Sequence, residues 1–247
     1  MSYAEPPPLK YQQAEALRLE AVTACVGFDD LLDETLRLNH PHLDTMIVVT
    51  THDDQATQRV AAKHGAICVQ TDLFRKNGRN FNKGAALNAG LARFQYHGWR
   101  LHLDSDIALP DNFRRLLFNH THLDPQCIYG ADRVDVIGRA ALRRRAAARQ
   151  HGDGLFVQSP GPVFSRYVDK LRGYVPIGFF QLWHAIAQKP YPWSLGTAGH
   201  DDVLFAEQWA GGHRRLLPSV ICQHLCARPP RLGENWDGRR GQPRLGE

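Results

Sequence analysis

Apolar residues in the first hundred positions follow two rhythms. Ala21-Val22-Thr23-Ala24-Cys25-Val26, Thr45 to Thr51, Ala66 to Gln70 and Trp99 to Leu103 are short apolar runs bounded by glycine or polar residues, the pattern of buried strands. Between them the spacing turns helical. Leu31, Leu32, Leu36 and Leu38 follow Asp29, a candidate helix cap, and Asn39-His40-Pro41 stops the run. A second helix spans about Ala56 to His64 and ends at Gly65, and Asn82 to Leu91 has the spacing of a third. Strands alternating with helices on short loops predict an α/β fold: a mostly parallel central sheet flanked by helices. Ligands of such sheets bind beyond the carboxyl ends of the strands, which brings Asp53, Asp54, Asp72 and Asp104 to Asp106 to one rim.

The second half is less regular. Gly152 to Pro162 is a Gly/Pro-marked loop, a candidate mobile lid. Tyr174 to Trp183 is aromatic and apolar, and Phe179, Phe180 and Trp183 read more readily as core than as a sugar-stacking platform. Gly199-His200-Asp201-Asp202 leads into a helix through about Trp209, and Arg215 to Cys222 reads as a late strand. The pattern divides the chain into an arm (1–20), one domain (21–226) and a basic tail (227–247). There is no internal repeat.

Composition narrows the class without choosing a function. Of 247 residues, 43% are hydrophobic and 22% charged, which suits one globular domain whose core needs neither disulfides nor a structural metal. Five scattered cysteines read as buried thiols in a reducing compartment. The first twenty residues carry no apolar signal segment, and no run approaches the roughly 20 residues that span a bilayer. A cytoplasmic protein is the expectation. The net charge of +5 suits a polyanionic partner: nucleic acid, an anionic membrane surface or a nucleotide diphosphate. Arg143-Arg144-Arg145 with Arg149 form one basic cluster, and Arg228, Arg231, Arg239, Arg240 and Arg244 another; a solvated basic face is the plain alternative for each.

The chemistry concentrates at Asp104-Ser105-Asp106. Two carboxylates two residues apart, where a buried strand gives way to a turn, can face one hard cation that keeps open positions for phosphate oxygens. The competing reading is an ordinary acidic turn. Lys83, near a helix start, suits a diphosphate, or else is a solvated lysine. Asp201-Asp202 offers one carboxylate to cap a helix and one to act as a base. Cys222-x-His224-x-Cys226 places three donors on one strand face, either a zinc site or buried thiols beside a ligating imidazole. Trp236 with Arg239 can stack on a base and pair with phosphate, or belong to a basic tail without structure.

Four stretches together resemble the GT-A-fold glycosyltransferases of the large family 2 type. They are V-T-A-C-V-G-F-D-D-L-L-D-E-T-L (22–36), I-V-V-T-T-H-D-D (47–54), N-K-G-A-A-L-N-A-G-L (82–91) and L-H-L-D-S-D (101–106). The resemblance covers about residues 20 to 225. It implies a metal-dependent, inverting transferase that takes a sugar from a nucleotide-diphosphate sugar, UDP-sugar favoured, with Mn2+ or Mg2+. It assigns Asp106 to the metal, Asp104 to the metal water or donor ribose, and a late His224 to the metal shell. Lys83 and Asn88 lie on the helix under the donor, and Asp72 matches a nucleoside contact. Thr50-Thr51 stand where relatives carry an acidic pair that reads the base, leaving Asp53 as the candidate there. The match makes Asp202 the base and Asp201 its neighbour.

The basic tracts point to a glycan or lipid-linked glycan as acceptor, reached from the inner face of an anionic membrane; no nucleic-acid partner is expected. Two other readings stand beside this one. A nucleotidyltransferase would carry a Gly-rich loop with Arg and Lys where Gly27-Phe28-Asp29-Asp30 stand. A basic protein for RNA or an anionic surface would need no metal and would lose binding with salt.

Overall fold

The computed structural model describes residues 17–78, 81–119, 122–141, 167–169, 173–194, 196–231 and 234–246. The candidate lid 152–162 and the arginines at 143–145 and 149 lie outside these residues, as do residues 1–16 of the expected arm.

The first half follows the predicted alternation: β1 (Leu19–Ala24), α1 (Asp29–Asn39), β2 (Thr45–Thr50), α2 (Gln55–Lys63), β3 (Ile67–Gln70), α3 (Lys83–Leu91) and β4 (Trp99–Leu103). β3, β2, β1 and β4 are neighbours in that order and all parallel. β2 shows why its run is continuously apolar. Val48 faces the layer of α1 and α2 with Leu32, Leu36 and Ala61, while Ile47 and Val49 face α3 with Ala86 and Leu87. α3 lies very close to the sheet because Gly90 has no side chain: a Cβ there would stand 2.6 Å from methyls of Val22 and Val49. Asn82 caps α3, its Oδ1 accepting from Ala85 N at 3.1 Å, and Asp54 caps α2 through Thr57 N at 3.1 Å. Asp29, the expected cap of α1, sits in its first turn instead; Phe28 takes the cap position with no side-chain bond.

The second half contains β5 (Ile107–Ala108), α4 (Phe113–Asn119), β6 (Ile128–Ile137), a separate hairpin of β7 (Tyr167–Asp169) and β8 (Gly173–Val175), β9 (Phe180–His184), α5 (Ala198–Ala206) and β10 (Arg214–Cys226). The sheet grows to eight strands in the order β3-β2-β1-β4-β9-β6-β10-β5. The sheet is mostly parallel, as expected, with two strands reversed. β9 is antiparallel to both β4 and β6, and β5 is antiparallel to β10, so the sheet is mixed. The aromatic stretch explains this placement: Phe180, Leu182 and Trp183 are fully buried, and only an interior strand covers both faces of such a run. They are core, as their pattern favours. Among the described residues no helix is long and apolar enough to cross a membrane.

Candidate active site

A cavity of about 200 Å³ opens beyond the carboxyl ends of β1 and β4. Ala24, Val26 and Phe28 wall one part of it; Lys83, Asp104, Asp106, Asp202 and His224 line the polar part. Lys83 is only 6% exposed, so the solvated alternative does not apply. Its Nζ donates to Asp104 Oδ1 at 2.7 Å and to Asp202 Oδ2 at 3.1 Å. Burial disfavours its charge, yet the two carboxylates raise its pKa above the ordinary lysine value.

One ammonium shared by two acids leaves them unequal. Burial pushes Asp104 up, but Lys83 and then His102 more than offset it and hold the carboxyl at about 2. Asp202 is pushed up to about 7, chiefly by burial, which Lys83 offsets only in part. Its Oδ1 lies in ion-pair range of Lys83 Nζ at 3.1 Å. That oxygen is buried with no hydrogen-bond partner among the described residues. Gly178 makes room for this carboxylate, since a Cβ there would stand 2.0 Å from Asp202 Oδ2. Asp201 is different: fully buried, it accepts from Gly84 N at 2.9 Å and Ser194 Oγ at 2.7 Å, stapling α5 to the start of α3.

Across the cavity, β10 brings His224 against the turn after β4. His224 Nε2 lies 3.2 Å from Asp106 Oδ2, and Nδ1 lies 2.7 Å from Asp135 Oδ1 on β6. Two ligands about 2.1 Å from a cation on adjacent corners of an octahedron sit about 3.0 Å apart, so this pair fits a small divalent ion. Asp135 holding Nδ1–H leaves the Nε2 lone pair free for it. Burial works against an imidazolium here, but Asp106, followed by Asp135, raises the His224 pKa well above the usual range; the spot is built for positive charge.

No protein-family model and no curated protein sequence matches the chain. Solved structures do. Mannosyl-3-phosphoglycerate synthase from Rubrobacter xylanophilus aligns at 17% identity over 90% of this chain and 70% of its own, with a TM-score of 0.52. Glucosyl-3-phosphoglycerate synthase from Mycobacterium tuberculosis, solved with Mn2+, UDP and glucosyl-3-phosphoglycerate, aligns at 15% identity over 93% and 80%, with a TM-score of 0.51. The chain has the GT-A fold. At these identities the likeness is one of architecture.

Within this GT-A chain the remaining sequence-chosen residues divide. Trp236 lines the cavity, its indole lying over Gly199 at the start of α5. The tail that carries it is folded onto the body rather than solvated. Arg240 pairs with both oxygens of Asp30, Arg244 pairs with Asp29, and Leu245 packs with Leu31, Val136 and Leu225. Arg239 does not line the cavity and is 81% exposed beside Asp237. Asn88 faces away from it and clamps the Tyr191 backbone, at 2.7 Å to its N and 3.0 Å to its O. Asp53 and Asp72 are also outside it: Asp53 faces Arg75 in solvent and Asp72 is 92% exposed. Asp54, beside them, accepts from Gly27 N at 2.7 Å and so locks the exit of β1 to α2.

Three contributors escaped the sequence reading. Arg133 lines the cavity with its guanidinium over Phe179, 4.8 Å from the ring centroid. Asp135 orients His224. His102, buried under Asp104, has Nε2 3.6 Å from Asp104 Oδ1 and Nδ1 2.6 Å from Tyr191 Oη. Burial, with Lys83 next, pushes its pKa down to about 3. The alternation Arg133-Val134-Asp135-Val136 was the available signal: polar to the cavity, apolar to the core.

Proposed function

We propose that this chain is a divalent-metal-dependent glycosyltransferase that moves a sugar from a nucleotide-diphosphate sugar, UDP-sugar favoured, to a hydroxyl acceptor with inversion. One observation carries the reading: Lys83, Asp104, Asp106, Asp202 and His224, from four separate parts of the sequence, line one cavity of a GT-A fold. Mn2+ or Mg2+ held by Asp106 and His224, with Asp104 beside it, would supply Lewis-acid stabilisation of the departing diphosphate. Lys83 adds a fixed positive charge at a helix N-terminus, where phosphate is already favoured. Ala24, Val26 and Phe28 give the nucleoside an apolar wall, and Trp236 covers the opening. Asp202, whose carboxylate lines the cavity, takes the proton of the attacking hydroxyl. Asp201 holds the helix that presents it.

For the acceptor we propose a glycan, free or lipid-linked, met at the inner face of an anionic membrane; the net charge of +5 supports that approach. A small acidic acceptor is the second reading. Arg133, a cation that lines the same cavity and is in no ion pair with a described residue, favours it. The test is a panel of nucleotide sugars with Mn2+, scored for hydrolysis and for transfer to neutral and acidic hydroxyl compounds. Turnover of one donor, lost in Asp106→Ala while the fold persists, is the expected result. Full metal-dependent turnover in that variant would overturn the metal assignment.

A further inference from the structure

The proposed donor carries a base, and the acids chosen from the sequence to contact it, Asp53 and Asp72, stand outside the cavity. The tail borders it instead. Arg240 Nη1 donates to the Gly27 carbonyl at 3.0 Å, and its guanidinium lies over Phe28, 5.1 Å from the ring centroid. That clasps the tail to the apolar wall of the cavity. The Trp236 carbonyl accepts from Ala198 N at 3.2 Å, a second anchor at the start of α5. Held this way, the tail adds two carboxamides, Asn235 and Gln242, to the cavity lining. Asn235 Oδ1 accepts from Gly241 N at 2.6 Å, and Gln242 Oε1 from Ala227 N at 3.0 Å. A backbone N–H only donates, so each side-chain oxygen is committed and each amino group is left over. Neither Asn235 Nδ2 nor Gln242 Nε2 meets an acceptor among the described residues. Gln242 is nevertheless only 7% exposed, a costly place for an idle donor.

We propose that Asn235 Nδ2 and Gln242 Nε2 read the base of the donor, and that this base is a pyrimidine with carbonyl oxygens at C2 and C4. The nucleotide itself comes from the transferase reading, on which this rests; the new element is which groups choose the base. The folded tail does not require amides at these positions. Aspartate at 235 and glutamate at 242 would accept the same two backbone bonds, and aspartate shares the tolerance of asparagine for the left-handed φ of 71° found at 235. What only the amides supply is a pair of donors whose direction is fixed before the ligand arrives. Two donors call for two acceptors. Uracil presents O2 and O4, whereas cytosine carries an amino group in place of O4 and sets donor against donor. Adenine has no carbonyl and guanine has one. Lys83 and the metal ligands meet the diphosphate alike in every case, so the base preference belongs to the tail.

Calorimetric titration of the full-length protein with UDP, CDP, GDP and ADP at fixed Mn2+ reads the preference without turnover. Wild type should bind UDP at least about 10-fold more tightly than each of the others. Asn235→Asp and Gln242→Glu keep the oxygens that hold the tail and remove only the amino groups. Each should narrow the ratio of UDP to CDP affinity by about 10-fold, because a carboxylate accepts from the cytosine amino group and repels O4 of uracil. The ratio is the readout, since repulsion between an added carboxylate and the diphosphate weakens all four ligands equally. Thermal unfolding should stay near wild type for Asn235→Asp, whose half-exposed site carries the test should a carboxylate at 242 loosen the tail. Equal affinity of the wild type for UDP and CDP, or a ratio that neither acid variant moves, overturns the base assignment alone. No binding of any nucleoside diphosphate overturns the transferase reading and this proposal with it.

Discussion

Residues 17–108 and residues 122–246 build the same cavity by different routes. The first half supplies Lys83, Asp104 and Asp106 from places a reader of the sequence can point to: a helix start and the end of a buried strand. Local rules settle both, because period and caps act over a few residues. The second half supplies Arg133, Asp135, Asp202, His224 and Trp236, each meaningful only through a partner far away in sequence. Lys83 and Asp202 are 119 residues apart, and Asp106 and His224 are 118 apart. The lesson is a division of labour. The regular half forms a socket that is half a site, and the irregular half completes it by inserting β9 into the sheet and folding the tail across the opening.

Four variants test that division, beginning with the greatest effect. Asp202→Asn should lower turnover by about 10²- to 10⁴-fold, the range for a general base. Wild-type activity should rise with pH through about 7, the value to which burial pushes this carboxyl, and the asparagine variant should lack that limb. The sign for stability is opposite: the folded value lies above the ordinary 3.8, so the contribution of Asp202 is full below that and lost as pH rises through about 7. A turnover profile with no inflection near neutrality would remove Asp202 from the role. Gly178→Ala follows. Its Cβ would press on the Asp202 carboxylate, and displacement of a reacting group by about 1 Å costs about 10²-fold in turnover; unchanged kinetics would mean the carboxylate has room to spare.

Third comes Arg240→Ala, which should cost about 3 kcal/mol by leaving the buried Asp30 carboxylate with no cation against it and only the Leu245 amide as donor. Thermal unfolding reads it, and a larger loss of donor affinity than of stability would sharpen the role of the tail in closing the cavity. The smallest effect belongs to the first half. Asp72→Ala should stay within about 0.5 kcal/mol in stability, since the residue is 92% exposed, and should leave donor binding unchanged. A clear loss of donor affinity there would restore Asp72 as a nucleoside contact.

The places where sequence reading stopped share a physical cause. Asp53, Asp72 and Asn88 were chosen for position in a motif, yet each side chain is directed by its own neighbours: Arg75, solvent and the Tyr191 backbone. Asp201 and Asp202 are adjacent and chemically identical in the sequence. A helix turns about 100° per residue, so one faces the Gly84 amide and the other the cavity. Glycines 90 and 178 look like any others until their neighbours are known.

From the sequence alone come the alternation of strands and helices, the apolar faces, the Gly65 stop of α2, and the acidic turn after β4. All are set by contacts along a few residues, where spacing and side-chain type suffice. Tertiary structure alone decided that β9 runs antiparallel, that one lysine serves two aspartates, which of two adjacent aspartates lines the cavity, and which carboxylate each edge of His224 meets. Those outcomes depend on which distant surfaces exclude water together, and burial, unlike periodicity, belongs to the whole fold.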